Sequence, residues 1–182
     1  MKDFSELVIN RRSIRQFTEK LLSPEEIEII LKAALMSPSS KNSRPCRFVV
    51  VEEKETLQKL SVCKPTGAAF IEHCSLAIVV LSDPLKSEAH IEDVAIAATY
   101  IQLQAEDLGL GTCWVQIRGR ETEAGEDSEQ YVRNLLEIPL QLTVACIIAL
   151  GHKAKIGKPH DVEKLQWEKV FIDKYVYEPI DE

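Results

Sequence analysis

Residues 9–17 read INRRSIRQF, and three arginines and a serine stand within the five positions from Arg11 to Arg15. Guanidinium groups make forked, charge-assisted hydrogen bonds to phosphate oxygens, and a serine hydroxyl adds a further donor. The chemistry such a stretch would do is to hold an anion. The whole chain carries a formal net charge of -7, so it repels nucleic acid and anionic membranes on average, and any anion site must be a local concentration of cations. A second concentration is KAKIGKPH, residues 153–160, where Lys158 and His160 flank a proline that stiffens the chain. Taken singly, either stretch reads equally well as a solvated basic patch. Brought together by the fold, the two would form a clamp for one phosphate. A lone phosphate is the reading because no G-x-G-x-x-G follows a strand and no G-x-x-x-x-G-K-S/T is present.

Two further stretches carry possible contacts. SPSSKNSRPCRF, residues 37–48, sets small hydroxyls and an amide between prolines. Its polar groups suit the hydrogen-bonding edge of a flat heteroaromatic ring; otherwise it is an ordinary helix-to-strand connection with serine and asparagine turns. GLGTCWVQI, residues 109–117, contains Trp114, a large apolar body on a strand. Cys113 beside it reads as an inert buried thiol, because no histidine is near in sequence and no helix starts there. The five cysteines are an odd number without a C-x-x-C pair, and the four histidines are scattered. That argues against a disulfide framework and against a zinc site. No Ser/His/Asp set or carboxylate pair can be assembled. An enzyme so equipped leaves the chemistry to a cofactor, which the protein binds and tunes.

These stretches need elements to position them. DFSELVINRR (3–12) predicts a short helix with acids at its start and arginines at its end. SPEEIEIILKAALMS (23–37) predicts a longer one, with Ser23 as N-cap, Pro24 at the first helical position and Glu26 closing a capping box. Strand patterns follow at 47–53, 75–82, 112–117 and 142–151, and helical patterns at 54–63, 91–111 and 127–139. Gly109 is placed to end the longest helix in a left-handed cap. SLAIVVLS and LTVACIIALG do not alternate, as expected of strands buried on both faces, so helices should cover both sides of one sheet. The acidic stretch 119–130 reads as a mobile loop. The polar tail from Gly151 onward is too irregular to form a core of its own, and is expected to wrap over something, such as a second subunit. With 182 residues, 45% hydrophobic and 28% charged, the chain suits a single soluble domain. No apolar run reaches the ~20 residues of a membrane span, and the start lacks a signal-peptide pattern, so a cytoplasmic protein is expected.

Set side by side, the stretches resemble the FMN-dependent nitroreductase family. RRSIRQF is similar to its R-R-S-x-R-x-F/Y element, and MSPSSKNSRPCRFVVV to its A-P-S-x-x-N-x-Q-P-W-x-F/Y element. DVAIAATYIQLQAEDLGLGTCWV is similar to its alanine-rich helix ending in L-G-L-G-T, and IIALGHKAKIGKPH to its late strand and K-P-R phosphate loop. The four occur in the family's order over nearly the whole chain. The resemblance implies an α+β fold, three-layered α/β/α, with a mostly antiparallel central sheet, as one domain over residues 1–182. It implies a homodimer with FMN at the interface. Arg11, Arg12, Ser13 and Arg15 would hold the phosphate and ribityl chain, and Lys158 and His160 would close over the same phosphate. Pro38, Ser39, Ser40 and Asn42 would meet the isoalloxazine from the other subunit, and Trp114, Val115 and Gln116 would line the ring's far edge, where a backbone N–H would approach the reactive flavin nitrogen. The implied activity is electron transfer from NADH or NADPH, through the flavin, to nitroaromatic, quinone or similar electron-poor small-molecule acceptors by a ping-pong mechanism. A flavin-handling protein without nicotinamide turnover is the alternative reading, and a pure interaction module a third. The chain departs from the family pattern at Arg44 and Cys46, where glutamine and tryptophan are usual, and at His160, where arginine is usual.

Overall fold

The computed structural model describes residues 3–176. Five helices and four strands follow one another as α1 (Phe4–Asn10), α2 (Pro24–Leu35), β1 (Cys46–Val51), α3 (Lys54–Ser61), β2 (Leu76–Ser82), α4 (His90–Asp107), β3 (Leu110–Gln116), α5 (Ser128–Leu135) and β4 (Thr143–His152). The strands form one sheet in the order β1-β2-β4-β3, and every pairing is antiparallel. The two unalternating strands take the central positions: β2 is buried along its whole length, and β4 at all but its end residues. A strand covered on both faces has no solvent side to make polar, which is why both read as continuous apolar runs.

Alternation along the strands divides the core. Leu76, Ile78 and Val80 of β2, with Cys146, Ile148 and Leu150 of β4, pack against Ile30 and Ala34 of α2 and Val94, Ala98, Ile101 and Ala105 of α4. Ala77, Val79, Leu81, Ile147 and Ala149 face the other way, onto Leu57 and Leu60 of α3 and Val132 of α5. The expected three layers are therefore present. α2 starts as its sequence predicts: Ser23 Oγ accepts from the Glu26 N–H at 3.2 Å, and the Glu26 carboxylate accepts from the Ser23 N–H at 2.7 Å. α4 stops at Gly109, which takes φ +80° and donates its N–H to the Glu106 carbonyl at 3.0 Å.

Two expectations are corrected. The first helix ends at Asn10, and Arg11 already has extended backbone (φ -59°, ψ 120°), so neither Arg11 nor Arg12 is helical. The acidic stretch expected to be a mobile loop is a tight hairpin followed by the first turn of α5. Glu121 and Asp127 bridge antiparallel, the Thr122 N–H donates to the Glu126 carbonyl at 2.8 Å, and Gly125 turns the chain at φ +80°.

The tail after β4 is irregular and exposed through residue 176, apart from short 3-10 turns. Its Ile156, Trp167, Ile172 and Tyr175 are 82%, 67%, 84% and 75% exposed. A single chain thus leaves a run of large apolar side chains uncovered, together with Phe4 of α1 and Leu35 and Met36 at the end of α2. The expectation that the tail reaches a second subunit also concerns residues 177–182, which lie outside the described residues. Among the described residues no helix is long and apolar enough to cross a membrane.

Candidate functional site

The arginine stretch is an extended segment laid across the sheet edge. Ser13 bridges Thr112 of β3, and the Ile14 N–H donates to the Thr112 carbonyl at 2.8 Å. The chain then crosses to the end of β4, where Phe17 bridges Lys153 and the Thr18 N–H donates to the His152 carbonyl at 2.9 Å. The crossing needs two bare strand positions. Gly111 and Gly151 are cross-strand partners. A Cβ on Gly111 would lie 2.8 Å from Ile14, and one on Gly151 would lie 2.8 Å from the Phe17 ring.

Extended backbone alternates its side chains, and this sorts the cations. Arg11, Ser13 and Arg15 share one side; Ile14, on the other, is buried. Arg12 falls with Ile14 and is used structurally: its Nη1 donates to the Lys158 carbonyl at 2.8 Å, and its Cβ occupies the space that a side chain on Gly157 would need. The His160 N–H donates to the Ile9 carbonyl at 2.9 Å. The tail is anchored at its root by Lys153, whose Nζ lies 2.7 Å from both Glu106 carboxylate oxygens in a nearly buried ion pair. The two cationic stretches, 146 residues apart at Arg12 and Lys158, are therefore tied together backbone to backbone. Arg11, Arg12, Ser13, Arg15, Gly157, Lys158 and His160 line one hollow of about 410 Å³. Among the described residues no ion pair involves Arg11, Arg12, Arg15, Lys158 or His160. A set of forked cationic donors with no carboxylate partner is what a phosphate group requires.

Beside this hollow lies an apolar groove of about 740 Å³, walled by α1, α4, Trp114 and Leu165, with Arg11, Ser13 and His160 at its polar end. Its size falls in the range of small-molecule sites. Trp114 sits on the α4 face of β3, its Nε1 donating to Gln116 Oε1 at 3.0 Å, while the Gln116 amide donates to the Arg118 carbonyl at 2.8 Å. Val115 points the other way and is fully buried against the α3/α5 layer. Burial pushes the Cys113 thiol up, against the opposing pull of Arg15, Ser13, Lys64 and Arg11, so it stays protonated, as an inert thiol should.

The loop with Pro38, Ser39, Ser40 and Asn42 is elsewhere in the same chain. It enters β1 at Cys46, paired with Ser82, whereas Ser13 lies beside Thr112, which pairs through Leu150 to Leu76. Cys46 and Thr112 are six positions apart along β2 and three strand spacings apart across the sheet, about 20 Å by about 14 Å. One chain does not bring them together.

This loop is held by a residue that sequence reasoning missed. Asp93, 2% exposed in the first turn of α4, accepts from the Ser40 N–H at 2.8 Å and from the Ser87 hydroxyl at 2.7 Å. Lys41, Asn42 and Arg44 take φ of 50°, 53° and 48°, a region costly for residues with a Cβ unless the surroundings impose it. The Ser39 hydroxyl accepts from the Arg44 N–H at 2.9 Å, and Asn42 Oδ1 from Arg44 Nε at 3.1 Å. A signal for Asp93 was present: it stands at helical spacing from Ala97 and Ile101, an acid on an otherwise apolar stripe.

The family model for the nitroreductase family matches residues 8–65 and 63–152. The chain belongs to the nitroreductase family. A solved structure titled FMN-dependent nitroreductase, from Clostridium difficile R20291, superposes with a TM-score of 0.91 at 40% identity, over 93% of this chain and 98% of that one. A protein of Archaeoglobus fulgidus, provisionally named an NADH dehydrogenase/NAD(P)H nitroreductase, is 35% identical over 84% of this chain and 86% of its own length. A Bacillus subtilis protein named FMN reductase (NADPH) is 27% identical over 86% of this chain and 68% of its own. The antiparallel sheet between two helical layers is accordingly the nitroreductase fold, and the hollow and groove at the β3 edge are this nitroreductase's candidate cofactor site.

Proposed function

We propose that this chain, as a homodimer with FMN at the interface, passes electrons from reduced nicotinamide to flat, electron-poor acceptors such as nitroaromatics and quinones, each ligand using the same open face in turn. Its family and relatives make it an FMN-dependent NAD(P)H oxidoreductase. The donor set fits the cofactor: unpaired cations and a serine at one end of an apolar groove match one phosphate joined to one flat ring. When bound, FMN supplies the redox chemistry, accepting a hydride from the nicotinamide and returning two electrons to the acceptor.

The protein's part is binding and orientation. Arg11, Ser13, Arg15, Lys158 and His160 would hold the phosphate and ribityl end. Arg12 would keep the tail in place over it. Trp114, the backbone of Val115 and Gln116 would border the ring. Pro38, Ser39, Ser40 and Asn42 would reach the ring from the partner subunit, a reading supported by the separate hollows that the loop and the cationic segment line within one chain. The exposed apolar tail, α1 and the end of α2 supply the surface for that pairing. Fixed positive charge around the site favours the developing negative charge of reduction.

The observation that carries this reading is the convergence of the two cationic stretches on one hollow. Replacing Arg11 by alanine removes a charge-assisted bond to phosphate, so FMN should bind about 10- to 150-fold more weakly. Riboflavin, which lacks the phosphate, should lose less than a factor of about two by the same reasoning. Fluorescence titration of the apoprotein with both ligands measures this. Equal losses for the two would remove the phosphate from the hollow.

A further inference from the structure

The serine-rich loop opens on a hollow of its own beside β1, the end strand of the sheet. The hollow measures about 270 Å³ and has Leu35, Ser39, Arg44, Cys46, Arg47 and Phe48 in its walls. Two guanidinium groups meet there, and each is held in place by neutral oxygens. Arg44 donates its Nε–H to Asn42 Oδ1 at 3.1 Å and its backbone N–H to the Ser39 hydroxyl at 2.9 Å. These bonds fix a backbone that is left-handed at Arg44 (φ +48°), a conformation that persists only where the surroundings impose it. Arg47 reaches back along the chain, its Nη1 donating to the Cys46 carbonyl at 3.0 Å and to the Arg44 carbonyl at 3.4 Å. The two terminal nitrogens of Arg44 and the Nε–Nη2 edge of Arg47 remain as forks for an incoming anion.

Neither charge is neutralised. Among the described residues no ion pair engages Arg44 or Arg47. Cys46 adds no negative charge, because burial, with Asp93 acting the same way, pushes its thiol up to about 11 against the pull of Arg47. The chain has 29 acidic residues against 22 lysines and arginines, so two oriented cations without a carboxylate are not the product of scarce acids. At two of these positions the chain also departs from the family pattern, with arginine at 44 in place of glutamine and cysteine at 46 in place of tryptophan. The first change brings the charge, and the second leaves open the room that an indole would take up. Two neighbouring cations lower their mutual repulsion by sharing an anion.

We propose that Arg44 and Arg47 form the acceptor's specificity site, which takes the carboxylate or sulfonate of a planar aromatic acid, so that this enzyme reduces anionic acceptors in preference to neutral ones with the same ring. The inference rests on the reading above, in which Ser39 and Asn42 meet the flavin ring across the dimer. The same two residues hold Arg44, so an acceptor stacked on that ring lies next to the hollow. Guanidinium forks match a carboxylate in geometry and charge. Leu35 and Phe48 offer apolar wall to the ring that bears it.

Benzoate and benzamide, which cannot be reduced, separate the charge from the ring. Titration of the FMN-loaded protein should show benzoate binding at least about tenfold more tightly than benzamide, the range for bonds to a charged group. Bound benzoate should also alter the visible spectrum of the flavin. Arg47→Gln should collapse most of the ratio, and so should Cys46→Trp, which fills the hollow and leaves both charges in place. Arg47→Lys keeps the charge without the fork and should retain part of it. The ratio of kcat/KM for 4-nitrobenzoate over 4-nitrobenzamide should fall in step, through the nitrobenzoate value, while FMN affinity stays at that of the wild type. A ratio near one in the wild type, or one unchanged in both Arg47→Gln and Cys46→Trp, overturns the proposal. Benzoate bound without a change in the flavin spectrum would put the hollow away from the ring, and a change confined to the NADPH-over-NADH ratio would give it to the donor's extra phosphate; either also overturns it. Arg47 is exposed, so its variant keeps the test open if Cys46→Trp fails to fold. Failure of the reading on which this rests would appear separately, as equal losses of FMN and riboflavin in Arg11→Ala.

Discussion

The arginine segment at residues 11–17 and the serine-rich loop at 37–45 both lie outside regular structure, yet they are fixed by different means. The segment is held by backbone hydrogen bonds to β3, β4 and the tail, and by the missing side chains of Gly111, Gly151 and Gly157. The loop has one carboxylate, Asp93, joining it to the start of α4 and to Ser87, and pays for its three left-handed residues with that tether. The half of the site built from charge is thus fixed by shape, and the half expected to meet a ring is fixed by a buried charge. Shape-fixed backbone fails when something is added; a tether fails when something is removed. The same distinction sets the order of the effects to be expected.

The largest effect should come from adding a methyl group at the crossing. In Gly151→Ala the new Cβ would sit 2.8 to 3.1 Å from three atoms of Phe17, whose ring is itself packed against the core. Overpacking of this kind costs about 1–3 kcal/mol, so the melting temperature should drop by roughly 2–10 °C, with FMN and riboflavin both bound less well. An unchanged melting curve would mean that the segment is not seated on the glycine pair. Removing the tether comes next. Asp93→Ala leaves the Ser40 N–H and the Ser87 hydroxyl without their acceptor, worth about 1–3 kcal/mol. If the loop meets the ring across the dimer, FMN and riboflavin should weaken together, by about tenfold. Asp93→Asn keeps an oxygen for Ser40 and should restore most of the binding. Loss for FMN alone, or no rescue by asparagine, would break the contrast between the halves.

How much of this was legible in the sequence follows the same division. The layers were, because β2 and β4 carry unbroken apolar runs through their interiors and α2 carries its own start signal in Ser23, Pro24 and Glu26. The cationic residues were legible as types. Their sorting was not, because Arg11 and Arg12 follow a helical pattern directly, and only the turn to extended backbone separates Arg11 from Arg12. Motif resemblance gives positions and not facing: alternation along β3 sends the Val115 side chain into the core, while Trp114 stays on the α4 face. The hairpin itself was hidden by its acidic composition, which is equally that of an unstructured loop.

The smallest effect expected is also the one that tests whether position or charge is at work in the first half. Arg12 has the same side chain as Arg11, one residue away, but its guanidinium is engaged with the Lys158 carbonyl in a solvent-exposed bond. Its removal should therefore cost only about 0.5–1.5 kcal/mol of FMN affinity, against the larger loss for Arg11→Ala. The loss should depend on Lys158, because a side chain that only positions its neighbour matters only while that neighbour is there. In a double-mutant cycle, Arg12→Ala should weaken FMN binding several-fold in the wild-type background and scarcely at all once Lys158→Ala is present, a coupling of the size seen for residues in contact. Losses that simply add would place the Arg12 guanidinium on the phosphate itself, and would remove the distinction that strand alternation draws between the neighbouring arginines.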